Sequence, residues 1–406
     1  MVLRAPRSPR GLLFGALLWS LALGAAGCHT VPAIRYPGLP DQKDGALHFI
    51  VFNVGQADCM LVAHRGRTML VDAGASSRKH ERASFRDVAR RLEALTGSRH
   101  LDYVVISHYH QDHVGLHGTG KRASLGDLGL WGLLGDEGVT VGALVDRGTL
   151  TFGEKGATQV AYERAVPHWI EERKVGERRT VKLGERIDLG PGVDVEVVAV
   201  NSNGRLGDLR AADRRQFERY PPSENDYSLS LKFTLGPFEL FSGGDLSGLS
   251  QQKSFGPVRV SYNDIESIAV PRIGDVEVYR VNHHGSDHSS NPCFVQALHP
   301  EVSIFSTGAN SYGHPSIRVY DLLKSIGRVF ITGGADPRVL EHVKGDLVRG
   351  DVEVLVEPGG ERYWVNGTLF RSKTDAEEKV RADYVTECRP YAVGETIARP
   401  GESHED

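Results

Sequence analysis

The stretch that decides the fold is Ser107-His108-Tyr109-His110-Gln111-Asp112-His113. It places three imidazoles and a carboxylate within six residues, directly after an apolar run at 101–107 that predicts a strand. Side chains at i and i+2 of an extended segment point to the same side, so His108 and His110 can hold one ion. Asp112 and His113, past the turn, can reach a second ion. Imidazole and carboxylate without thiolate favour Zn, Mn or Fe. The alternative is a solvated histidine-rich loop.

The segments around this stretch mix strands and helices. Apolar residues at helical spacing predict helices from 85 to a stop at Gly97, at 157–173 and at 319–326. Residues 181–200 alternate in the manner of a β-meander. Short apolar runs between turn residues predict further strands at 46–53, 59–63, 68–72, 139–146, 229–233, 238–242, 276–281, 329–332, 352–356 and 362–365. Because strands outnumber helices without a strict βαβ repeat, a two-layer sheet sandwich with helices outside fits best.

The composition limits the class of protein. The chain has 406 residues, with 48 Lys+Arg against 52 Asp+Glu and a net charge of −4. These values exclude a disordered, collagen-like or polytopic membrane protein and leave one large or two ordinary globular domains. The charge argues against a protein that coats nucleic acid through a basic surface, but not against a metal-dependent enzyme that acts on phosphodiesters.

The N-terminus predicts export. Arg4, Arg7 and Arg10 precede an uncharged run at 11–27 that ends in small residues, which is typical of a signal peptide over 1–27. Cys28 follows directly, as in a bacterial lipoprotein box, and predicts an acylated, membrane-anchored protein in the periplasm or at the outer membrane or cell surface. The alternatives are an ordinary cleaved signal with an incidental cysteine and an uncleaved anchor. Cleavage would leave 45 basic and 52 acidic residues, a net charge of −7.

The exported chain divides into three parts. Residues 28–45 predict a Pro/Gly-rich tether, 46–370 a folded domain with an inserted loop at 201–224, and 371–406 a polar, peripheral extension. The remaining cysteines are too sparse for a disulfide framework, although one pair can form after export; they are Cys59, Cys293 and Cys388.

Short motifs in the rest of the chain make the pattern specific. His-x-His-x-Asp-His after a strand resembles the metallo-β-lactamase superfamily. Val71-Asp72-Ala73-Gly74 resembles the turn that supports the site in that family, and Ser242-Gly243-Gly244-Asp245 its Gly-Asp motif. His283-His284-Gly285-Ser286 resembles its late ligand motif. The resemblance implies an αββα sandwich, an α+β fold in which two mixed sheets lie between helices.

Within the superfamily, the best match is the external hydrolase domain of ComEC-type bacterial competence (DNA-uptake) proteins. The resemblance covers roughly residues 46 to 370. It depends on four motifs in the order of that branch, at 52–58, 225–229, 283–286 and 310–315.

The resemblance implies a ligand set for two divalent transition-metal ions, Zn or Mn. His108 and His110 would hold the first metal, and Asp112, His113 and His284 the second. Asp245 would bridge them, and Asp72 would orient a ligand histidine rather than bind metal. Two cations roughly 3.5–4 Å apart can share and deprotonate a water at neutral pH.

One position departs from the family pattern. Many members take a third histidine for the first metal from a loop before the Gly-Asp motif. Between His117 and Asp245 this chain has only His168, in a predicted helix. Asp226 occupies the matching place and either ligates the first metal or begins the next strand with an Asx turn.

Two further histidines are candidate catalytic residues beside Asp112. His283 would hydrogen-bond a phosphoryl oxygen or protonate the leaving group, unless its role is structural. His314 opens a predicted helix in a Gly-His-Pro turn, where it either touches an anionic substrate or forms a plain helix entry.

The leading hypothesis is therefore an exported dinuclear phosphodiesterase or nuclease. Its substrate would be a nucleic acid, a nucleotide or an envelope ester, with membrane attachment through the lipid and no obligate protein partner. Hydrolysis of C–O or C–N bonds, as in β-lactamases, lactonases or thioesterases, is the second hypothesis. A non-catalytic metal-binding envelope lipoprotein is the third.

Overall fold

The computed structural model describes residues 44–76, 85–118, 127–149, 155–204, 218–374, 377, 385–393 and 395. The predicted signal peptide, the acylation of Cys28 and nearly all of the tether lie outside the described residues, as does most of the predicted loop at 201–224. Within the described ranges, no helix has the length and apolarity that a membrane span requires.

The larger sheet has nine strands among the described residues and contains both parallel and antiparallel pairs. These are β1 (Leu47–Val51), β2 (Cys59–His64), β3 (Arg67–Ala73), β4 (His100–Val105), β7 (Thr140–Asp146), β8 (Val175–Thr180), β17 (Val352–Val356), β18 (Arg362–Val365) and β19 (Thr368–Arg371). Their spatial order is β19-β18-β17-β1-β2-β3-β4-β7-β8. Strands β3, β4, β7 and β8 run parallel to one another, so their carboxyl ends meet at one edge.

The second sheet has six strands in the described part of the chain, in the order β16-β15-β14-β11-β10-β9. Its strands are β9 (Val193–Ala199), β10 (Ser230–Leu235), β11 (Phe238–Ser242), β14 (Val278–Arg280), β15 (Val302–Phe305) and β16 (Arg328–Ile331). Strands β11, β14, β15 and β16 are parallel. Two small two-stranded sheets pair β5 (Gly115–Leu116) with β6 (Leu128–Gly129), and β12 (Gln251–Phe255) with β13 (Val258–Tyr262).

Helices cover the outer face of each sheet. The α-helices of the described residues are α1 (Phe85–Thr96), α2 (Gln111–Val114), α3 (Leu130–Gly135), α4 (Ala157–Glu171), α5 (Glu266–Ile273), α6 (Pro292–Leu298), α7 (Ile317–Ile326) and α8 (Leu340–Val343). The apolar faces of α1, α3 and α4 share a buried cluster with the larger sheet. Those of α5, α6 and α7 share another with the smaller sheet. The architecture is the predicted αββα sandwich.

The central core lies between the two sheets. Along β1, Phe49 faces the inter-sheet cluster while its neighbour Ile50 faces the helices, as the period of two in a strand requires. The Phe49 ring packs edge-on against Phe233 of the other sheet, with ring centroids 5.3 Å apart. This contact joins the two sheets at the middle of the sandwich.

The predicted β-meander at 181–200 is present in part. β8 ends at Thr180, β9 begins at Val193, and residues 181–192 lead the chain from one sheet to the other. Within this connection Arg186 forms an antiparallel bridge with Glu196 of β9, and the N–H of Ile187 donates to the carbonyl of Val195. Glycine allows the turns of this connection, since Gly184 and Gly190 both have positive φ.

The C-terminal extension lies at the surface where it is described beyond residue 385, and it is attached there to the domain. A disulfide joins Cys388 to Cys293 at the start of α6. The backbone N–H of Tyr391 donates a hydrogen bond to Asp264 (2.8 Å). One cysteine pair therefore attaches this segment to the domain.

We expect Phe233→Ala to lower the free energy of unfolding by about 3–5 kcal/mol, because it opens a cavity between the sheets. Leu369→Ala is the matched control: this side chain is 47 % exposed on β19, and its loss should change stability by less than about 0.5 kcal/mol. Denaturant unfolding monitored by circular dichroism measures both. If both variants changed the free energy of unfolding by similarly small amounts, Phe233 would not be part of the core between the sheets.

Candidate metal centre

The candidate site residues follow strands that end at the same edges of the two sheets. His108 and His110 follow β4, and Asp72 lies near the end of the parallel neighbour β3. Asp245 follows β11, and His284 follows its parallel neighbour β14. Because parallel strands bring their carboxyl ends to one edge, the fold gathers groups that are far apart in the sequence.

The first candidate group is His108, His110 and Asp245, whose ligand atoms all lie within 4.8 Å of one another. His108 Nε2 is 3.1 Å from His110 Nδ1 and 3.7 Å from Asp245 Oδ2. His108 is fully buried and His110 is exposed, so this group opens to solvent on the side of His110.

The second candidate group is Asp112, His113 and His284. Asp112 Oδ2 is 3.4 Å from His284 Nε2. Asp245 connects the two groups, since its Oδ1 lies 3.1 Å from His113 Nε2 while its Oδ2 faces His108. One carboxylate thus presents an oxygen to each group, the position that a bridging ligand requires.

Orphaned atoms indicate that this arrangement fits cations. Nε2 of His113, Nε2 of His284 and Oδ1 of Asp245 are buried and have no hydrogen-bond partner among the described residues. Buried polar atoms without partners are costly in a folded protein. Imidazole nitrogen and carboxylate oxygen are ligands of Zn²⁺ and Mn²⁺, and a cation at each group would satisfy these atoms.

Hydrogen bonds on the far side of the rings fix the imidazole tautomers. His113 donates from Nδ1 to Asp72 Oδ2 (2.9 Å), and His284 donates from Nδ1 to the carbonyl of Ser306 (2.8 Å). In each ring Nε2 therefore faces the site, where it would present its lone pair to a bound metal ion, as expected of metal-binding histidines. Asp72 also accepts from the backbone N–H of Ser107 (2.7 Å), which holds the start of the histidine stretch.

The electrostatics of the cluster favour added positive charge. Burial lowers the pKa of His284, but the carboxylates of Asp58, Asp245 and Asp112 raise it to about 9. Burial likewise opposes the charged form of His113, and Asp245 and Asp72 raise its pKa well above the usual value. These imidazoles hold protons at neutral pH unless a metal ion replaces them.

A buried ion pair lies behind the second group, and no motif in the sequence predicts it. Arg280, at the end of β14, places its guanidinium 2.6 Å from Asp58 Oδ2 and donates to Ser242 Oγ (3.0 Å). Asp58 Oδ1 is in turn 3.5 Å from His284 Nδ1. Asp58, Asp72 and His113 form a third group with metal-ligand spacing. Because Arg280 already neutralises Asp58, we interpret this third group as support for the other two.

The loop after β14 is strained and held firmly. His283 and His284 have φ of 50° and 52°, a region that costs roughly 1–3 kcal/mol for a residue with a side chain. The buried carboxyl of Glu266 accepts hydrogen bonds from Asn282 Nδ2 and the backbone N–H groups of Ser290 and Asn291. These contacts fix both ends of the loop and keep His284 in place.

His283 and His314 lie beside the metal groups as neutral imidazoles. His283 Nε2 is 3.6 Å from Asp245 Oδ2, and burial lowers its pKa to about 4. Burial also lowers the pKa of His314, whose Nδ1 is 3.2 Å from Gln56 Nε2. Since Gln56 Oε1 accepts from the N–H of Gly308, its amide NH₂ donates to His314 Nδ1. Nε2 of His314 therefore carries the proton and can donate a hydrogen bond.

Asp226 is the one predicted ligand that the structure does not bring into either group. Its carboxylate accepts hydrogen bonds from the backbone N–H (3.2 Å) and Nδ2 (2.7 Å) of Asn263. Asp226 thus ties its turn to the end of β13 instead of facing the first group. His283, in the left-handed turn at 283–284, places its Nε2 3.6 Å from Asp245 Oδ2.

Residues 52–124, which include the histidine stretch and the Asp58 and Asp72 segments, match the family model described as the metallo-beta-lactamase superfamily. The chain has the hydrolase fold of that superfamily, with residue groups that can hold metal ions.

Two curated relatives are competence proteins. The chain is 25% identical over 320 residues to Competence protein ComA of Neisseria gonorrhoeae, which covers 79% of this chain and 34% of the relative. It is 25% identical over 308 residues to ComE operon protein 3 of Bacillus subtilis (strain 168), which covers 71% of this chain and 31% of the relative. The chain spans about a third of the length of these relatives.

Among solved structures, the chain is similar to the metallo-beta-lactamase fold protein YhfI from Bacillus subtilis. The sequences are 11% identical, the match covers 70% of this chain and 96% of that protein, and the TM-score is 0.38.

Gly74 provides a test of the packing under the second group. Gly74 N–H donates to the carbonyl of Asp58, and a Cβ at Gly74 would lie 1.6 Å from the backbone oxygen of Asp112. We expect Gly74→Ala to displace the Asp112–His113 turn, to cost about 1–3 kcal/mol of stability and to reduce bound metal after dialysis.

Gly135→Ala is the control, because nothing lies within 4 Å of the Cβ it would add. Elemental analysis and thermal unfolding of both variants make the comparison. A Gly74→Ala protein with unchanged metal content and unfolding temperature would contradict this packing.

Proposed function

We propose that this protein is a dinuclear metal-dependent hydrolase that cleaves phosphodiesters. The observation that supports the proposal most strongly is the position of Asp245, which offers one carboxylate oxygen to each of two ligand groups. A pair of bound divalent cations would supply Lewis acidity and a water whose pKa is lowered towards neutrality.

In this proposal the residues of the site divide into metal ligands, residues that orient the ligands, and a general base. His108 and His110 bind on one side, and Asp112, His113 and His284 on the other. Asp72 and the Ser306 carbonyl keep the lone pairs of His113 and His284 directed at the centre. Asp112, which is partly exposed at the helix α2 turn, also lies where it can accept a proton from the attacking water.

His283 and His314 suit an anionic substrate. Both lie against the metal groups, with His283 5.6 Å and His284 6.1 Å from His314 between ring centroids. Since burial keeps His283 and His314 neutral, each can donate a hydrogen bond to a phosphoryl oxygen. A role for His283 as the acid that protonates the leaving group fits less well, because its pKa of about 4 leaves no proton to give at neutral pH.

The phosphodiester class is supported by the competence-type motifs, including the 225–229 segment in place of a third histidine. The names of the curated relatives agree with that branch. Nucleic acid, nucleotide and envelope ester are the candidate substrates within the class.

Asp112→Asn and Asp245→Asn should each lower turnover of bis-p-nitrophenyl phosphate by at least about a hundredfold, because each removes a negatively charged ligand while keeping the side-chain shape. We expect metal-reconstituted Asp245→Asn to bind fewer than two ions by elemental analysis. Asp321→Asn, on the outer helix α7, is the control and should behave as the wild type.

The same assay distinguishes the substrate classes. Mn- or Zn-loaded wild type should hydrolyse the phosphodiester and leave nitrocefin intact. Nitrocefin turnover without diester turnover would favour hydrolysis of C–N bonds. Absence of any turnover with two ions bound would favour a binding protein.

We also propose that the protein is exported and anchored to a membrane through an acylated Cys28. Cys28→Ser should then move the protein from the membrane fraction to the soluble fraction of cells that express the full chain. Immunoblotting of the two fractions measures the shift. Unchanged partitioning would reject acylation while leaving the hydrolase proposal intact.

A further inference from the structure

A groove of about 810 Å³ lies beside the metal centre and shares a residue with it. His110, a member of the first ligand group, is one of the residues that line the groove. The other walls come from the β12–β13 hairpin, from residues 219–227 and from the start of α4. A substrate held at His110 therefore has space to extend into this groove.

The groove carries net positive charge. Of the described residues that line it, Glu224 is the one acid. Both oxygens of Glu224 accept hydrogen bonds at 2.7 Å from the buried guanidinium of Arg147. The ring of Tyr109 stacks on Arg147, with 4.4 Å between guanidinium carbon and ring centroid. Arg147 thus neutralises Glu224, so Glu224 does not compensate the positive charges of the groove.

Two of those charges are guanidinium groups. Arg219 and Arg259 both line the groove, and both lie near the ring of Tyr220, at 5.7 Å and 5.8 Å from its centroid. Within the described part of the chain, neither guanidinium forms an ion pair with a carboxylate. Arginine binds phosphate with several donors in a planar fork, so these two side chains are placed to bind an anion.

The two arginines belong to different segments, and hydrogen bonds hold these segments together. Ser261 N–H donates to the carbonyl of Pro221 (2.8 Å), and Ser223 N–H donates to the carbonyl of Ser261 (2.7 Å). Ser261 Oγ also donates to the carbonyl of Tyr220 (3.1 Å). These backbone contacts therefore keep the segments of Arg219 and Arg259 next to each other in the folded protein.

We propose that this groove binds a second phosphate group of the substrate through Arg219 and Arg259. The inference rests on the proposed phosphodiesterase function and makes it more specific. The preferred substrate carries a further phosphate next to the diester that is cleaved, on a nucleoside or on a polyol. A diester with neutral substituents leaves the groove unused.

A pair of chromogenic esters tests the proposal. Thymidine 5′-(p-nitrophenyl phosphate) and the same ester with a 3′-phosphate differ only in the second phosphate. We expect the added phosphate to raise kcat/KM of the Mn-loaded wild-type protein about tenfold or more, as for hydrogen bonds between charged groups. The Arg219→Gln/Arg259→Gln double variant should reduce this ratio to near one.

Arg86→Gln/Arg90→Gln removes the same charge from the exposed face of α1, outside the groove, and should keep the wild-type ratio. The subsite would be rejected if the wild type cleaved both esters with the same kcat/KM. It would also be rejected if the Arg219/Arg259 variant kept the wild-type preference for the 3′-phosphorylated ester. Failure of the wild type to cleave either ester would instead reject the phosphodiesterase proposal. A matching pair of glycerol-based esters identifies the source of the phosphate: an equal gain assigns the subsite to phosphate on any backbone, and a gain confined to thymidine assigns it to a nucleotide.

Discussion

The balance of buried charge at the meeting point of the two sheets governs the rest of this structure. Three fully or almost fully buried carboxylates lie close together there, those of Asp58, Asp72 and Asp245. Arg280 neutralises the first, and the N–H of His113 satisfies the second. Asp245 is surrounded by imidazoles instead: its Oδ1 lies 3.1 Å from His113 Nε2 without forming a hydrogen bond, and its Oδ2 lies 3.7 Å from His108 Nε2. Since an uncompensated buried charge costs several kcal/mol, a cation on either side of Asp245 is the arrangement that satisfies the site.

The scaffold maintains this arrangement by fixing the backbone as well as the ligand side chains. Asp72 holds the start of the histidine stretch, and Gly74 lets the Asp112 turn approach the end of β3. Glu266 holds a loop in which two consecutive histidines adopt left-handed φ. Pre-organisation of this kind is typical of functional sites, where strain in one segment is offset by hydrogen bonds from others. In the proposed function, the substrate binds on the side of His110, His283 and His314.

The sequence predicts part of this site well, for a physical reason. His108, His110 and His113 lie within six residues, so local geometry alone brings them together. The sandwich follows from strands with apolar alternation, such as β1, whose two faces pack against different layers. By contrast, Asp58 and Arg280 are 222 positions apart in the sequence, and no local pattern predicts their pairing. The same holds for Arg219 and Arg259, whose convergence depends on the hairpin at Ser261.

Two segments show what local patterns leave open. Asp226 has the sequence position of a ligand, but its carboxylate is taken by Asn263, a contact across two loops. Residues 181–192 alternate as a strand does, yet they connect the two sheets, and Arg186 in this connection forms an antiparallel bridge with Glu196 of β9. A net charge of −4 for the chain likewise gives no sign of a groove in which the one acid among the described lining residues is already paired.

Anomalous diffraction from crystals grown with Mn²⁺ or Zn²⁺ tests the central claim most directly. The account predicts two ions per chain: one at His108 and His110, the other at Asp112, His113 and His284, with the Asp245 carboxylate between them. A single ion, or an ion between Asp58 and Asp72 with Asp245 turned away, would contradict it.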